Sequence, residues 1–188
     1  KETLVTVGGS EAIDIGLRCM LDPGDEVLIP QPSYVSYLPC TLMADGVPMV
    51  IPLQYKNEFK LTVEDLEKYT TPKTKVLVMP FPNNPTGSIM TGKDLAPVAE
   101  FVKEHDLYVI SDEIYSELTY SGEHVSIASL PGMRERTIVI NGFSKGFAMT
   151  GWRLGYCCGP ANIIEQMTKL HQYAIMCAPT TSQYAAVE

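Results

Sequence analysis

Short runs of apolar residues alternate along the chain with segments in which apolar positions recur at helical spacing. Several runs, such as Val76–Met79 and Ile138–Ile140, are apolar without alternation, which is typical of strands buried on both faces of a largely parallel sheet. The predicted strands are Val27–Pro30, Val47–Pro52, Lys75–Pro80, Leu107–Ser111, Thr137–Asn141 and Leu154–Cys158.

Helical patterns fill the intervals between these strands. Ser10 is a good N-cap for the first helix, and Thr62 with Asp65 resembles a capping box in which Asp replaces Glu. Pro39 weakens a second helix, and Pro97 requires a kink or a late start in a third. The predicted helices are Ser10–Met20, Tyr34–Met43, Thr62–Tyr69, Thr91–His105 and Ala161–Cys177.

Strands that alternate with helices imply right-handed crossover connections. We therefore predict an α/β fold, a three-layer α/β/α sandwich with a mostly parallel sheet, formed as one domain by residues 1–188. In sheets of this kind, ligands bind at the carboxyl ends of the strands. The segments that follow the predicted strands are therefore the first place to look for a functional site.

Composition and charge narrow the classes of function. The chain has 188 residues, 45% of them hydrophobic, which is enough for one sizeable core. The formal net charge is -8 and no Lys/Arg run is present, which argues against nucleic-acid or anionic-membrane binding as a primary role. No apolar run is long enough to cross a bilayer.

Cysteine and histidine usage predicts neither disulfides nor a metal site. The five cysteines are odd in number and lack CxxC spacing, and the three histidines lack ligand spacing. Cys157 and Cys158 lie in a strand-like run, so we expect them to face opposite sides of it as small apolar residues. A reducing cytoplasm fits this pattern best.

The two ends of the sequence suggest a piece of a longer protein. Lys1 leads almost at once into the apolar run Leu4–Val7, and Glu188 falls inside what the pattern predicts to be a helix. We therefore expect further sequence on both sides.

Four polar or glycine-rich segments follow predicted strands. Each has an ordinary explanation when taken alone: a strand-to-helix turn, a turn asparagine, a solvated acid at a strand end, or a surface lysine. The four segments are Gly8-Gly9-Ser10, Asn83–Gly87, Ser111–Tyr115, and Ser144-Lys145 with Arg153 eight residues on.

Together, these segments meet the chemical requirements of pyridoxal 5'-phosphate (PLP). The aldehyde of PLP needs an amine such as that of Lys145, and its ring nitrogen needs a facing carboxylate such as that of Asp112. Neighbouring residues of a strand point to opposite faces, so Asp112 and Glu113 should not share one role. The apolar residues around Lys145 predict a desolvated amine with a lowered pKa.

The remaining parts of PLP also have candidate partners. Its phosphate needs backbone N–H groups at a helix N-terminus and a cation, which Gly8-Gly9-Ser10 and Arg153 would provide. Its phenolate oxygen needs hydrogen-bond donors, for which Tyr115 and Asn84 are the candidates.

At this point the sequence resembles a known family. The run Ser144–Gly155 closely resembles the lysine motif of the class I aminotransferases, which are PLP enzymes of fold type I. Asn84–Gly87 and Asp112–Tyr115 resemble two further signatures of that family, in the same order. The likeness covers essentially the whole chain.

The resemblance implies a role for each candidate residue. Lys145 would form the Schiff base with PLP and move the proton between the substrate carbon and the cofactor, and Tyr34 would stack on the ring. Many relatives place a phosphate-binding serine where this chain has Gly142, so Ser144 would substitute for it. The other implied contacts are Asp112 to the pyridinium nitrogen, Asn84 and Tyr115 to the phenolate oxygen, and Gly8, Gly9, Ser10 and Arg153 to the phosphate. The resemblance also implies cis peptide bonds at Gln31–Pro32 and Asn84–Pro85.

The family further implies what the complete protein does. We expect a homodimeric enzyme that transfers an amino group between an L-amino acid, of aspartate or aromatic type, and a 2-oxo acid. The N-terminal segment and the C-terminal small domain of the family have no counterpart in these 188 residues, and neither does the arginine that binds the substrate carboxylate. We therefore expect the 188-residue piece by itself to be inactive.

Two other functions stay open at this level. Carbon–sulfur lyases and aminocyclopropane-carboxylate synthases use a similar set of residues, although the run Met149–Arg153 favours the aminotransferases. A non-enzymatic regulatory domain of aminotransferase type is the third possibility, which an upstream DNA-binding segment would reveal.

Overall fold

A seven-stranded sheet forms the centre of the computed structural model, which describes all residues from 1 to 188. Its strand order is β1-β7-β6-β5-β4-β2-β3, and β7 is the strand that runs antiparallel to both of its neighbours, while the other six share one direction. The mostly parallel sheet that the sequence predicts is thus confirmed. The strands are β1 (Thr3–Thr6), β2 (Glu26–Gln31), β3 (Val47–Pro52), β4 (Thr74–Met79), β5 (Tyr108–Asp112), β6 (Thr137–Gly142) and β7 (Gly155–Cys158).

Helices cover both faces of this sheet. Helices α1, α2 and α5 contribute to a hydrophobic cluster on one face, and α3 and α4 contribute to a second cluster on the other. This arrangement confirms the predicted three-layer α/β/α sandwich. The helices are α1 (Gly8–Met20), α2 (Tyr37–Met43), α3 (Val63–Tyr69), α4 (Gly92–Glu104), α5 (Ala161–Ala174) and α6 (Thr180–Ala185).

The unbroken apolar run of β4 shows why the strands lack alternation. Val76 and Val78 pack into the cluster on the α1 face, whereas Leu77 and Met79 pack into the cluster on the α4 face. All four are at most 2% exposed, since successive side chains point to opposite faces and both faces are covered.

The first helix and the first strand differ from the prediction. Helix α1 begins at Gly8, so Ser10 lies in its first turn and its side chain caps no backbone group. The N–H of the cap residue Val7 instead donates to the carboxylate of Glu11. The apolar run after Lys1 forms strand β1, which is not among the predicted strands, and it pairs with β7, with Leu4 opposite Cys157.

Two other helices also have different bounds. Helix α2 begins at Tyr37 instead of Tyr34, which places Pro39 in the first turn, where the missing N–H would have had no partner. Helix α5 ends at Ala174 and is followed by the separate helix α6, so Glu188 lies outside any helix. The predicted capping box of Thr62 with α3 is confirmed.

Several smaller expectations are confirmed as well. The bonds Gln31–Pro32 and Asn84–Pro85 are cis, and Phe81–Pro82 is a third cis bond that was not predicted. Cys157 is fully buried while its neighbour Cys158 is half-buried, and all five cysteines are free thiols. None of the helices combines the length and the apolar character that a membrane span requires.

The topology brings the predicted site segments to one edge of the sheet. Strands β1, β2, β4, β5 and β6 all end at this edge because they share one direction. Strand β7 runs the opposite way and therefore begins there. The segment between β6 and β7, which holds Lys145 and Arg153, thus returns to the same place as the turn from β1 into α1.

Candidate active site

A cavity of about 210 Å³ opens at the carboxyl edge of the sheet. Among the predicted site residues, Gly8 is the one that does not line it, although a Cβ atom on Gly8 would meet the side chain of Arg153. The predicted residues that line it are Gly9, Ser10, Tyr34, Asn84, Asp112, Tyr115, Ser144, Lys145 and Arg153. The cavity therefore gathers side chains from segments that are far apart in the sequence.

One end of the cavity combines a helix N-terminus with a guanidinium group. Gly8 has a φ of +74°, and a Cβ atom on it would lie 2.7 Å from Nη2 of Arg153. A Cβ atom on Gly155 would lie 2.8 Å from the backbone nitrogen of Gly9. Glycine at position 8 therefore lets the start of α1 come close to Arg153, and glycine at position 155 lets it come close to β7. The free N–H groups of the helix and the cation favour an anion.

Asp112 is the last residue of β5 and lines the cavity. Tyr37 donates its hydroxyl to Oδ2 of Asp112 at 2.7 Å, and the N–H of Ile114 donates to Oδ1 at 3.3 Å. Burial raises the pKa of the Asp112 carboxyl, while these two hydrogen bonds act against that rise. Tyr37 was not among the predicted site residues, because the sequence places it inside the predicted helix Tyr34–Met43.

Glu113, the next residue, faces away from the cavity. Its carboxylate accepts hydrogen bonds from the hydroxyls of Ser111 at 2.8 Å and Ser126 at 2.6 Å, and it lies 2.7 Å from Nε2 of His124. Ser111 and Glu113 share one face of the strand and Asp112 occupies the other, as the period of two predicts. The separation of the two neighbouring acids is thus confirmed.

Lys145 lines the cavity but is more exposed than expected. Its Nζ lies 5.7 Å from the centre of the Tyr115 ring. The expected apolar enclosure of this amine is wrong: Lys145 is exposed, Phe147 is 61% exposed and Trp152 is 48% exposed. Residues 143–153, which connect β6 to β7, form turns and a short 3-10 helix at the open edge of the sheet.

The segment between β6 and β7 is held by its own hydrogen bonds. The hydroxyl of Thr150 donates to the carbonyl of Ser144 at 2.8 Å, and Nη1 of Arg153 donates to the carbonyl of Thr150 at 2.8 Å. A Cβ atom on Gly142 would lie 2.8 Å from the Cα of Gly155, so a side chain there would require a shift of the backbone. Ser144, in contrast, lines the cavity.

Aromatic and amide side chains complete the walls. Tyr34 is half-buried, its hydroxyl lies 3.2 Å from the hydroxyl of Ser10, and its ring meets the ring of Tyr37 edge-on at 5.7 Å. Asn84 is exposed at the rim, after the buried strand β4 and the cis bond at Pro82. The cavity thus carries an amine, a buried acid, an anion-binding end and aromatic rings.

Comparisons with known proteins agree on one family. A family model described as "Aminotransferase class I and II" matches residues 1–188. The chain is 52% identical over 189 residues to the aspartate aminotransferase of Pyrococcus abyssi, and 49% identical over 188 residues to the aromatic-amino-acid aminotransferase 2 of Thermococcus litoralis. Both matches cover 100% of this chain but only 49% and 48% of the respective relative.

Solved structures give the same result. The crystal structure of an aromatic aminotransferase from Pyrococcus horikoshii superposes with a TM-score of 0.97 at 51% sequence identity. That match covers 99% of this chain and 50% of the solved chain. The 188 residues therefore span about half the length of the relatives that they match.

Proposed function

The chain belongs to the aminotransferase class I and II family, and on this premise we propose that the complete protein is a PLP-dependent aminotransferase. Its substrates would be an L-amino acid, of aspartate or aromatic type, and a 2-oxo acid. The aspartate and aromatic names of relatives at about half identity support this choice of substrates.

The observation that carries the proposal is the meeting of three chemically different groups in one cavity. The amine of Lys145, the buried carboxylate of Asp112 and the guanidinium of Arg153 all line it, although they come from two separate parts of the sequence. PLP requires an amine, an acid and an anion site at once, so their convergence supports this cofactor more strongly than any one of them does.

The cavity passes a test of fit for PLP. Gly8 and Gly9 begin α1 without side chains, and a Cβ atom on Gly8 would lie 2.7 Å from Nη2 of Arg153, so the backbone at the start of this helix lies close to the guanidinium, which suits a phosphate group. Asp112 is only 7% exposed and accepts hydrogen bonds on both oxygens, so it is held in place to face a ring nitrogen. The phenolic hydroxyl of Tyr115 and the amide of Asn84 line the same cavity.

Each of these residues would have one task. When bound, PLP supplies a ring that withdraws electrons from the substrate carbon. Asp112 would hold a proton on the ring nitrogen, Arg153 and the N–H groups of α1 would bind the phosphate, and Tyr34 would lie against the ring face. Lys145 would bind the aldehyde carbon through its amine and later carry the proton at Nζ. Tyr115 and Asn84 would donate hydrogen bonds to the phenolate oxygen.

We further propose how this domain belongs to the complete protein. Residues 1–188 would form the PLP-binding large domain of a longer, cytoplasmic and homodimeric enzyme. The chain spans about half the length of its relatives. The arginine that binds the substrate carboxylate in this family has no counterpart among the 188 residues. We therefore expect the 188-residue piece by itself to be inactive.

The cofactor part of the proposal can be tested with the full-length protein. Added PLP should give an absorbance band in the visible range, and borohydride should then fix the cofactor covalently to the peptide that contains Lys145. The Lys145→Ala variant should lose both signals, whereas Lys93→Ala, which removes an amine from the exposed surface of α4, should keep them. Absence of the band from the unaltered protein would contradict the proposal.

The reaction can be tested separately. Amino transfer from aspartate or an aromatic amino acid to 2-oxoglutarate should be measurable, and it should depend on the oxo acid. Release of pyruvate or ammonia without an oxo acid would instead indicate a lyase. Binding of PLP with neither activity would favour a regulatory role.

A further inference from the structure

The hydroxyl of Tyr37 forms the shortest hydrogen bond to the buried acid of the cavity. Tyr37 is 2% exposed and donates to Oδ2 of Asp112 at 2.7 Å, across 75 positions of sequence. We propose that Tyr37 is a positioning residue for Asp112, which fixes the orientation of its carboxylate and keeps it ionised. This inference deepens the proposed function and rests on it for the link to PLP.

The surroundings of Tyr37 fix where its hydroxyl lies. Its ring packs in the same hydrophobic cluster as Ile13 and Ile110, and it meets the ring of Tyr34 edge-on. Its carbonyl accepts a hydrogen bond from the hydroxyl of Thr41 at 2.9 Å, one turn further along α2. Because a fully buried ring has few alternative rotamers, the hydroxyl is a fixed donor rather than a mobile one.

The direction of the hydrogen bond is set by burial. Burial, with the nearby charge of Asp112, holds the pKa of the Tyr37 hydroxyl well above its ordinary value, so this group stays protonated and donates. The N–H of Ile114 donates to the other oxygen of Asp112. Both oxygens are thus anchored, and each keeps a further lone pair that can accept a proton-bearing partner from the cavity.

The hydrogen bond also acts on the charge of Asp112. Burial raises the pKa of this carboxyl, and the hydrogen bond from Tyr37 is the largest effect that opposes the rise. Removing the hydroxyl should therefore favour the neutral acid, which holds a protonated ring nitrogen less well. Tyr37 would act through Asp112 and would not touch the reacting atoms.

The test is the pH dependence of unfolding in the full-length apoprotein with Tyr37→Phe. The folded pKa of Asp112 already lies above its unfolded value and should rise further in the variant, so the variant pays an added penalty only where Asp112 is ionised. Relative to the unaltered protein, Tyr37→Phe should raise the unfolding constant, and this rise should be about tenfold larger at pH 8 than at acidic pH. The size follows from the greater strength of hydrogen bonds to charged groups compared with those between neutral groups. A loss of packing alone would give the same increase at every pH.

Three companion proteins make this result specific. In an Asp112→Asn background, Tyr37→Phe should have no pH-dependent effect. Tyr108 lies at the other end of β5 from Asp112, and the structure shows no hydrogen bond for its hydroxyl. The effect of Tyr108→Phe on stability should therefore not vary with pH. Replacing Tyr37 with 3-fluorotyrosine, a more acidic phenol of nearly the same shape, should restore the wild-type behaviour.

A second measurement connects the pair to the cofactor. Tyr37→Phe should weaken the apparent affinity for PLP about tenfold, and it should cause no further loss in the Asp112→Asn background. A pH-independent loss of stability, or an unchanged affinity for PLP, would overturn the inference. If the unaltered protein bound no PLP while the pH-dependent coupling was present, the proposed function would fail and the pairing of Tyr37 with Asp112 would stand.

Discussion

At the scale of single residues, Gly8 is the position where a methyl group should do the most local harm to the cavity. Its φ of +74° disfavours any side chain, and the new Cβ of Gly8→Ala would lie 2.7 Å from Nη2 of Arg153. We expect a loss of about 1–2 kcal/mol in unfolding free energy from the backbone alone. Displacement of the guanidinium should also weaken PLP binding about tenfold or more. Denaturant titration and cofactor titration measure the two effects.

Gly24→Ala separates the two contributions. Gly24 has a φ of +92°, yet a Cβ atom on it would meet nothing within 4 Å. This variant should lose a similar amount of stability and bind PLP normally. Normal PLP binding by Gly8→Ala would show that the close approach to Arg153 does not serve the anion site.

Single side chains are also the features that a sequence predicts least well. The motifs around Lys145 and Asp112 identify residue types that suit PLP, and the structure brings them into one cavity. One sequence does not show which way a side chain points or which residues pack over it. The expectation that the apolar neighbours of Lys145 enclose its amine is wrong for this reason. Tyr37 was missed for the same reason, since its partner is 75 residues away.

At the scale of elements, strands were easier to predict than helix ends. The bounds of β2 and β4 differ by one residue from the apolar runs, because burial on both faces leaves a continuous signal. Strand β1 has four residues on the sheet edge, of which Val5 is 39% exposed, so its apolar signal is short. The start of α1 depends on the geometry at Gly8 and on the contact of Glu11 with Val7, which the serine rule does not capture.

The N-terminus of α4 gives a prediction for one element. Burial alone would raise the pKa of Asp94, but hydrogen bonds from the N–H and hydroxyl of Thr91 and the ion pair with Lys60 at 3.2 Å outweigh it. The net effect is a lowered pKa. Asp94 should therefore stabilise the fold by about 1 kcal/mol above roughly pH 5, and lose this contribution as the pH falls through its folded pKa.

Asp94→Asn is the corresponding variant. Its loss of unfolding free energy, from urea titrations at several pH values, should be full near neutral pH and should shrink on acidification. Glu67→Gln, on the exposed surface of α3, is the control and should change little at any pH. A loss for Asp94→Asn that grew as the pH fell would reverse the expected sign and reject the explanation.

At the scale of the whole molecule, the two faces of the sheet have different tasks. The face with α1 and α2 carries Tyr37 and Asp112, and thus the cavity. The opposite face carries the carboxylate of Glu113, which is 4% exposed and is held by Ser126 and His124 from the segment after β5. This carboxylate binds a surface segment to the sheet and lies outside the cavity. Substitution of Glu113, which directly follows β5, should therefore affect stability, whereas substitution of Asp112, the last residue of β5, should affect cofactor binding.

Substituting these two acids tests that division. Glu113→Ala leaves the hydroxyls of Ser111 and Ser126 without their acceptor, so we expect a loss of roughly 2–4 kcal/mol in unfolding free energy. Its affinity for PLP, measured where the variant is fully folded, should stay unchanged. Asp112→Asn should show the reverse: weaker PLP binding with a smaller loss of stability than Glu113→Ala. The amide carbonyl can still accept the hydrogen bond from Tyr37, so only the longer bond from the N–H of Ile114, at 3.3 Å, is lost. The milder Ser126→Ala removes one donor to Glu113 and should follow Glu113→Ala with a smaller loss. Equal losses of PLP affinity in Glu113→Ala and Asp112→Asn would contradict this division. Such a result would mean that removing a carboxylate on the α4 face also changes the position of Asp112 on the cavity face.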